Sequence, residues 1–292
     1  MIVTRTSKFL YGLALAIGFI SCDKVEEPIV PVTGVYLEEL YGPAPRFQPE
    51  GEPHQRVLLE DFTGHDCGNC PRAHIVASQL LGVYSDELAV VAIHAGGFAN
   101  PNPTIGLITD WSTPEGEYYY STQLGEIAIP AGRVNRRPDA SAFIGFGSWA
   151  DTVQAARAIQ TAVNMQLKAS HHEASNHWNV HVFSEWLRDA EGDYKLVVML
   201  TESGIIAPQL NYIVGQGYVD PVYHHEHMLR NTGTGATGLP VFSNPRAGTL
   251  DTQSYTFEWN SAWVPENCEV IAFLTEGDNG RVVNVAKVKL VP

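Results

Sequence analysis

Two cysteines separated by two residues form the motif Cys67-Gly-Asn-Cys70. Thiols at this spacing can close a disulfide within one helical turn, and they can exchange it with a partner dithiol. The motif follows an apolar run and precedes Pro71 and a helical pattern. A helix N-terminus directs unpaired backbone N–H groups at a nearby sulfur, which stabilises a thiolate. The arrangement therefore favours redox chemistry, with Cys67 as the attacking thiolate and Cys70 as the resolving thiol.

The same motif could be half of a zinc site, provided that further ligands lie nearby. The other two cysteines, Cys22 and Cys268, stand alone and far apart in the sequence. His74 and His94 could complete a tetrahedral set with the cysteine pair. A surface helix position for His74 and a strand-end position for His94 explain both residues without a metal. We therefore expect no metal site and no cofactor, and a buried free thiol at Cys268.

The segments around the motif predict a strand, a helix and a second strand. Residues 56–63 form an apolar run, and apolar residues then recur at helical spacing from 73 to about 85. Residues 87–94 form a second, nearly continuous apolar run, which is typical of a parallel strand covered on both faces. Three segments complete this half of the chain: an insertion rich in Gly, Pro and Tyr at 95–128, a short strand at 132–135, and a helical apolar stripe from 149 to 167.

The pattern changes after about residue 170 to short alternating runs separated by turn signals. Alternation with a period of two predicts antiparallel strands with one buried face. The runs lie at 178–186, 194–201, 224–230, 254–259, 270–274 and 282–290. Their number and spacing predict a β-sandwich. In the run 224–230, this alternation places His225 and His227 on one face, which we expect to pack at a domain junction.

The N-terminus predicts a targeting segment. A charged start precedes an apolar stretch at 9–20 that is too short to span a membrane comfortably. The run Phe19-Ile20-Ser21-Cys22 resembles a bacterial lipobox, which implies a signal peptide at 1–21 and acylation of Cys22. Residues 22–55 are rich in Pro and Glu and predict a lipidated tether. The formal net charge of −14 argues against a nucleic-acid partner.

Two features around the motif resemble thioredoxins. An Asp-Phe pair, Asp61-Phe62, precedes the first cysteine at the thioredoxin offset, and Ile129-Pro130 precedes a strand where those domains carry a cis-proline. The resemblance implies that Asp61 is a buried acid that exchanges a proton with the resolving thiol. It also implies that Pro130 is cis, faces the disulfide and lines a substrate groove. Asp66 departs from the pattern, because thioredoxins carry a Trp beside the first cysteine.

As a whole, the chain resembles the Bacteroidetes outer-membrane-protein-28-related lipoproteins. The residues that carry this resemblance are 59–74, His94-Ala95-Gly96, 130–136 and 223–230. It implies an α/β thioredoxin-like domain at 56–169, followed by an all-β immunoglobulin-like sandwich domain at 170–292. It also implies an outer-membrane protein, periplasmic or surface-exposed, that is held by lipid at Cys22.

Two functions remain open at this point. The first is thiol–disulfide exchange through Cys67 and Cys70 with a protein dithiol or disulfide partner, assisted by Asp61 and Pro130. The second is non-enzymatic: a surface-binding, adhesin-like or envelope-assembly lipoprotein in which the disulfide is structural.

Overall fold

The computed structural model describes residues 35–277 and 280–291. These residues form thirteen strands and four α-helices, and only α2 among the helices is longer than nine residues. The helices are α1 (Glu38–Tyr41), α2 (Cys70–Tyr84), α3 (Pro114–Glu117) and α4 (Trp149–Arg157), and a π-helical segment, Tyr118–Gln123, follows α3. The strands are β1 (Val57–Thr63), β2 (Leu88–His94), β3 (Ala131–Val134), β4 (Val163–His172), β5 (His177–Trp186), β6 (Asp193–Glu202), β7 (Ile205–Leu210), β8 (Val219–His225), β9 (Met228–Thr232), β10 (Leu239–Ser243), β11 (Leu250–Glu258), β12 (Cys268–Glu276) and β13 (Arg281–Lys289).

One large mixed sheet forms the centre of the molecule. Its strand order is β13-β12-β6-β9-β2-β1-β3, and β10 also pairs with β6. β1 and β2 are parallel and buried along their whole length, as their continuous apolar runs predict. A second sheet has the order β11-β5-β4, and β7 and β8 form a separate hairpin.

Alternating side chains of the large sheet contribute to two different cores. On β6, Leu196, Val198 and Leu200 pack with residues of the three-stranded sheet, whereas Val197 and Met199 pack with residues from the segment 118–129. A third core lies beneath α2 and α4 and surrounds the fully buried Trp149. The period-two alternation of a strand thus allows one sheet to be covered on both faces.

The predicted fold class is wrong. The molecule is mostly β, and it is not an α/β thioredoxin-like domain followed by an all-β immunoglobulin-like sandwich domain. One sheet takes β1, β2 and β3 from the N-terminal half and four strands of its main path from the C-terminal half. The physical reason is the outer edge of β2, where the Ala92 N–H donates to the His227 carbonyl at 2.8 Å. β2 thereby pairs in parallel with β9, and the sheet continues.

One local prediction is also wrong, and the domain limits stay untested. The helical stripe predicted to reach residue 167 ends at Arg157, because Val163 already begins β4. The domain limits 56–169 and 170–292 stay a prediction, and β4 runs through residue 170.

The signal peptide 1–21, Cys22 and the first part of the predicted tether lie outside the described residues. The later part of that segment packs on the three-stranded sheet. Phe47 stacks on Phe183 with 5.2 Å between ring centroids, and the Glu50 N–H donates to the Glu185 carboxylate at 2.8 Å. In the described part of the chain, no helix has both the length and the hydrophobicity to cross a membrane.

Candidate functional site around the disulfide

Cys67 and Cys70 form a disulfide with a Cα–Cα distance of 5.4 Å. Cys67 lies in the loop after β1, and Cys70 is the first residue of α2. Pro71 occupies the first turn of the helix, where its missing N–H leaves no hydrogen bond unmade. Both cysteines are buried, with 4% of Cys67 and 0% of Cys70 exposed. A partner thiol therefore has no direct access to the sulfurs in this conformation.

A covering segment, Gln209–Tyr212, lies along the disulfide loop. The Leu210 N–H donates to the His65 carbonyl, and the Tyr212 N–H donates to the Gly68 carbonyl, both at 2.8 Å. The buried Gln209 side chain donates to the Cys67 carbonyl at 3.1 Å. The Tyr212 ring is so close to Gly68 that a Cβ there would lie 2.5 Å from it. Gly68 thus permits a contact that any larger residue would prevent.

Asp61 lies on β1, and 1% of it is exposed. Its Oδ1 has no hydrogen-bond partner among the described residues. Burial raises the pKa of Asp61 to about 8, because a desolvated carboxylate lacks the water that would stabilise its charge. The carboxyl predicted to exchange protons near the cysteines is therefore buried and can be protonated at neutral pH.

His74 links this carboxyl to the hairpin. It lies one helical turn after Cys70, and its Nε2 is 3.7 Å from Asp61 Oδ2 and 2.8 Å from Thr63 Oγ1. Its Nδ1 is 2.6 Å from the Tyr223 hydroxyl on β8. Burial lowers the pKa of His74 to about 3, so the ring is neutral at physiological pH. His74 is thus more than the surface helix residue that the sequence predicts.

A pocket of about 470 Å³ opens beside these groups. Asp61, His74 and Tyr223 line it, and it is bounded by apolar residues of α2 and β2 and by polar side chains at 224–227. The pocket gives solvent a route to Tyr223 and His74, although the Asp61 side chain itself is almost fully covered.

Pro130 precedes β3, and the Ile129–Pro130 peptide bond is cis, as predicted. β3 pairs with β1 in antiparallel register, with Ala131 opposite Phe62 and Gly132 opposite Asp61. Pro130 therefore lies at the end of β1 that leads into the disulfide loop. Its role in lining a substrate groove stays a prediction.

A buried cluster of three charged residues, one of them next to Asp61 in β1, was not predicted. Glu60 Oε2 accepts hydrogen bonds from Arg133 Nε at 2.6 Å and from Arg136 Nε at 3.0 Å, and none of the three residues is more than 2% exposed. Despite burial, the two guanidinium groups hold the pKa of Glu60 down, at about 2. An acid inside an apolar strand, with one arginine inside another strand and a second just after it, is the sequence signal that could have revealed this cluster.

The histidine face predicted at 224–230 is wrong, because the segment is not one strand. β8 ends at His225, His227 has φ = 55°, and β9 begins at Met228. His225 packs edge-on against His94 with 5.5 Å between ring centroids, and burial lowers the pKa of both. Within the described ranges, no three or more His, Cys, Asp or Glu side chains are grouped so that they could hold a metal ion.

Comparisons with known proteins identify a family for this chain. The model of the family described as outer membrane protein Omp28 matches residues 117–292, which is more than half of the chain. The solved structure of HBP35 of Porphyromonas gingivalis is similar in fold, with a TM-score of 0.64, 16% identity, and coverage of 82% of this chain and 77% of that chain. A domain of the outer membrane lipoprotein Omp28 from the same organism has 20% identity and a TM-score of 0.30, and it covers 45% of this chain and 90% of that one.

No curated protein sequence matches the chain. The family match confirms the resemblance stated from the sequence, together with the predicted outer-membrane location. This chain belongs to the outer membrane protein Omp28 family.

Proposed function

We propose that this Omp28-family protein exchanges thiols and disulfides through Cys67 and Cys70. The observation that carries the proposal is a closed disulfide at the start of α2, which directly follows the strand that holds a buried carboxyl able to keep a proton at neutral pH. His74 brings that carboxyl next to α2, since it lies one turn after Cys70 and 3.7 Å from Asp61.

A partner dithiol reduces the cysteine pair in two exchange steps. A partner thiolate attacks the Cys67 sulfur, the bond between Cys67 and Cys70 breaks, and Cys70 leaves as a thiolate that takes a proton from Asp61. The second partner thiolate then attacks the partner sulfur of the mixed disulfide, and Cys67 leaves as a thiolate. Two electrons pass from the partner to the cysteine pair, and the partner becomes a disulfide. In the reverse direction, Asp61 accepts the Cys70 proton.

Burial of both sulfurs favours a second candidate function. In that case the disulfide is structural, and the protein is a non-enzymatic surface-binding or envelope-assembly lipoprotein. Against this alternative, a bridge across two intervening residues removes little entropy from the unfolded chain, so it is a weak structural crosslink. Exchange requires that the covering segment at Gln209–Tyr212 first moves away from the loop.

Trapping of mixed disulfides separates the two functions. In the reverse direction, Cys67 attacks a partner disulfide and Cys70 releases the bound partner, so Cys70→Ser should let mixed disulfides with envelope proteins accumulate on non-reducing gels. Cys67→Ser is the matched control, and it should trap none because the attacking sulfur is gone. If neither variant traps a partner and the purified pair cannot be reduced without unfolding the protein, the disulfide is structural.

We also propose that lipid at Cys22 holds the protein at the outer membrane. The support is the lipobox-like run Phe19-Ile20-Ser21-Cys22 together with the family of outer membrane proteins. Two acyl chains give stable anchoring, whereas one chain binds only marginally. Cys22→Ala should release the protein from the membrane fraction or block its processing, and unchanged membrane association would contradict the anchor.

A further inference from the structure

We infer that Tyr223 and His74 form a proton path that connects the solvent in the pocket to the carboxyl of Asp61. The inference deepens and rests on the proposed exchange function, because it names the route by which the buried acid Asp61 gains and loses its proton. Tyr223 and His74 act through Asp61 and are therefore positioning and relay residues.

The need for a path follows from burial. Asp61 lines the pocket, but its side chain is only 2% exposed, and Oδ1 is buried without a hydrogen-bond partner among the residues described. So little exposed surface leaves few contacts through which water could take the proton directly. A fixed chain of hydrogen-bonding groups offers a second route.

The distances define the chain of groups. Tyr223 lines the pocket, and its hydroxyl is 2.6 Å from His74 Nδ1. On the other side of the ring, Nε2 is 2.8 Å from the Thr63 hydroxyl and 3.7 Å from Asp61 Oδ2. The last distance exceeds a hydrogen bond by about 0.7 Å. A small shift of the ring, or transfer through the Thr63 hydroxyl, closes that step.

The proton count balances without a charged histidine. Asp61 gives its proton to Nε2, Nδ1 gives its proton to the Tyr223 oxygen, and Tyr223 gives its hydroxyl proton to water in the pocket. The ring changes tautomer and remains neutral, which agrees with a buried site that disfavours imidazolium. Protonation of Asp61 runs through the same groups in reverse.

Other titratable side chains surround this path. They are His224, His225, Glu226 and His227, which follow Tyr223 in the chain, and His225 and His227 electrostatically disfavour a proton charge on His74. No acid other than Asp61 is within ion-pair distance of the His74 ring in the described part of the chain. Burial lowers the pKa of His225 and of His227 to about 4, so both rings are neutral at physiological pH and would oppose a charge on His74 only when they are themselves protonated.

The experiment follows Asp61 directly and does not depend on disulfide exchange. After a pH jump from 7 to 9, time-resolved infrared spectroscopy of the oxidised full-length protein reports loss of the buried carboxyl band, and Asp61→Asn identifies that band. Tyr223→Phe keeps the ring and removes the hydroxyl, so we expect the rate at which Asp61 loses its proton to fall by about tenfold or more. A small buffer such as imidazole should restore part of that rate. His74→Gln, which interrupts the path at its centre, should slow the same step.

Tyr218→Phe is the matched control, because Tyr218 is exposed on the same hairpin loop and the change is chemically identical. Equal rates of Asp61 deprotonation in the Tyr223, His74 and Tyr218 variants would overturn the proton path. Mixed-disulfide trapping with Cys70→Ser tests the exchange function separately. If deprotonation of Asp61 is slower in the Tyr223 and His74 variants while Cys70→Ser traps no partner, the proton path is supported and the exchange function is rejected.

Discussion

The buried carboxyl of Asp61 makes the stability of the folded protein depend on pH. Its pKa is about 8 in the folded protein and 3.8 as the reference value for an unperturbed Asp. Between these values the folded state holds a proton that the unfolded state has lost, so stability falls as pH rises from about 4 to about 8. We predict that wild type loses roughly 2–3 kcal/mol between pH 5 and pH 7 relative to Asp61→Asn.

Urea unfolding at the two pH values measures this difference. Asp86→Asn serves as the control, because Asp86 is exposed and the same carboxyl is removed. If the difference in free energy of unfolding between wild type and Asp61→Asn is the same at both pH values, Asp61 is ionised in the folded protein.

Glu60 is a second residue whose removal should have a large effect. It is the carboxylate shared by Arg133 and Arg136, so Glu60→Gln leaves two guanidinium groups buried without an anion. Removing one partner from a buried ion cluster costs about 3–5 kcal/mol of unfolding free energy. The exposed pair of Asp189 and Arg246 provides the control, and Asp189→Asn should change stability little. If urea titrations show a similar loss of unfolding free energy in Glu60→Gln and in Asp189→Asn, the prediction is wrong.

At the scale of elements, the covering segment determines access to the disulfide. The Tyr212 ring packs on Gly68, and Tyr212→Ala removes that packing while retaining the backbone hydrogen bond. If about 1–2 kcal/mol of packing is lost, the open form becomes about 5–30 times more populated. We predict that Cys67–Cys70 is reduced faster by the same factor with a small dithiol.

Tyr218→Ala removes an exposed ring from the same hairpin loop and should leave the rate of reduction unchanged. If Tyr212→Ala also reacts at the wild-type rate, the segment does not limit access, and the disulfide opens by another motion.

Local elements could be predicted from the sequence, whereas their long-range partners could not. The apolar runs of β1 and β2 and the helical spacing of α2 depend on neighbouring residues. Both strands lie within one residue of the prediction, and α2 begins three residues before the predicted apolar stripe. Val163 and Leu167 were assigned to a helix, because a spacing of four residues fits both a helical stripe and one face of a strand. The break at His227 depends on a positive φ that no spacing reveals.

The same distinction between local and long-range structure applies to the residues of the candidate site. Cys67, Cys70 and Asp61 belong to one continuous segment, and their positions around the start of α2 follow from the local pattern. Tyr223 and Gln209 reach the site from far along the chain, because β7 and β8 fold back over the disulfide loop. Their contacts depend on tertiary packing, which a single sequence does not display.

At the scale of the whole molecule, the shared sheet predicts joint unfolding. β2 and β12 come from opposite halves of the chain, yet both belong to one sheet through β9 and β6. We expect hydrogen-exchange mass spectrometry to show that peptides from both strands lose protection at the same urea concentration. The β7–β8 hairpin pairs outside that sheet, so it should lose protection first. Early loss at β1, β2 and β3, with β12 still protected, would show that the two halves are separate domains.

Cys268 is the free cysteine of the described residues, and it is buried at the start of β12. Burial raises the pKa of its thiol to about 12, so the sulfur is both shielded and protonated while the protein is folded. Unfolding restores an ordinary, reactive thiol in the same chain as an exposed disulfide, and attack on that disulfide would pair Cys268 with Cys67 or Cys70. A chain with either mispaired bridge must exchange it again, through the thiol that the first attack released, before the native loop can re-form. Each unfolding event therefore adds a slow exchange step to refolding, so a slow rate of unfolding protects the native disulfide.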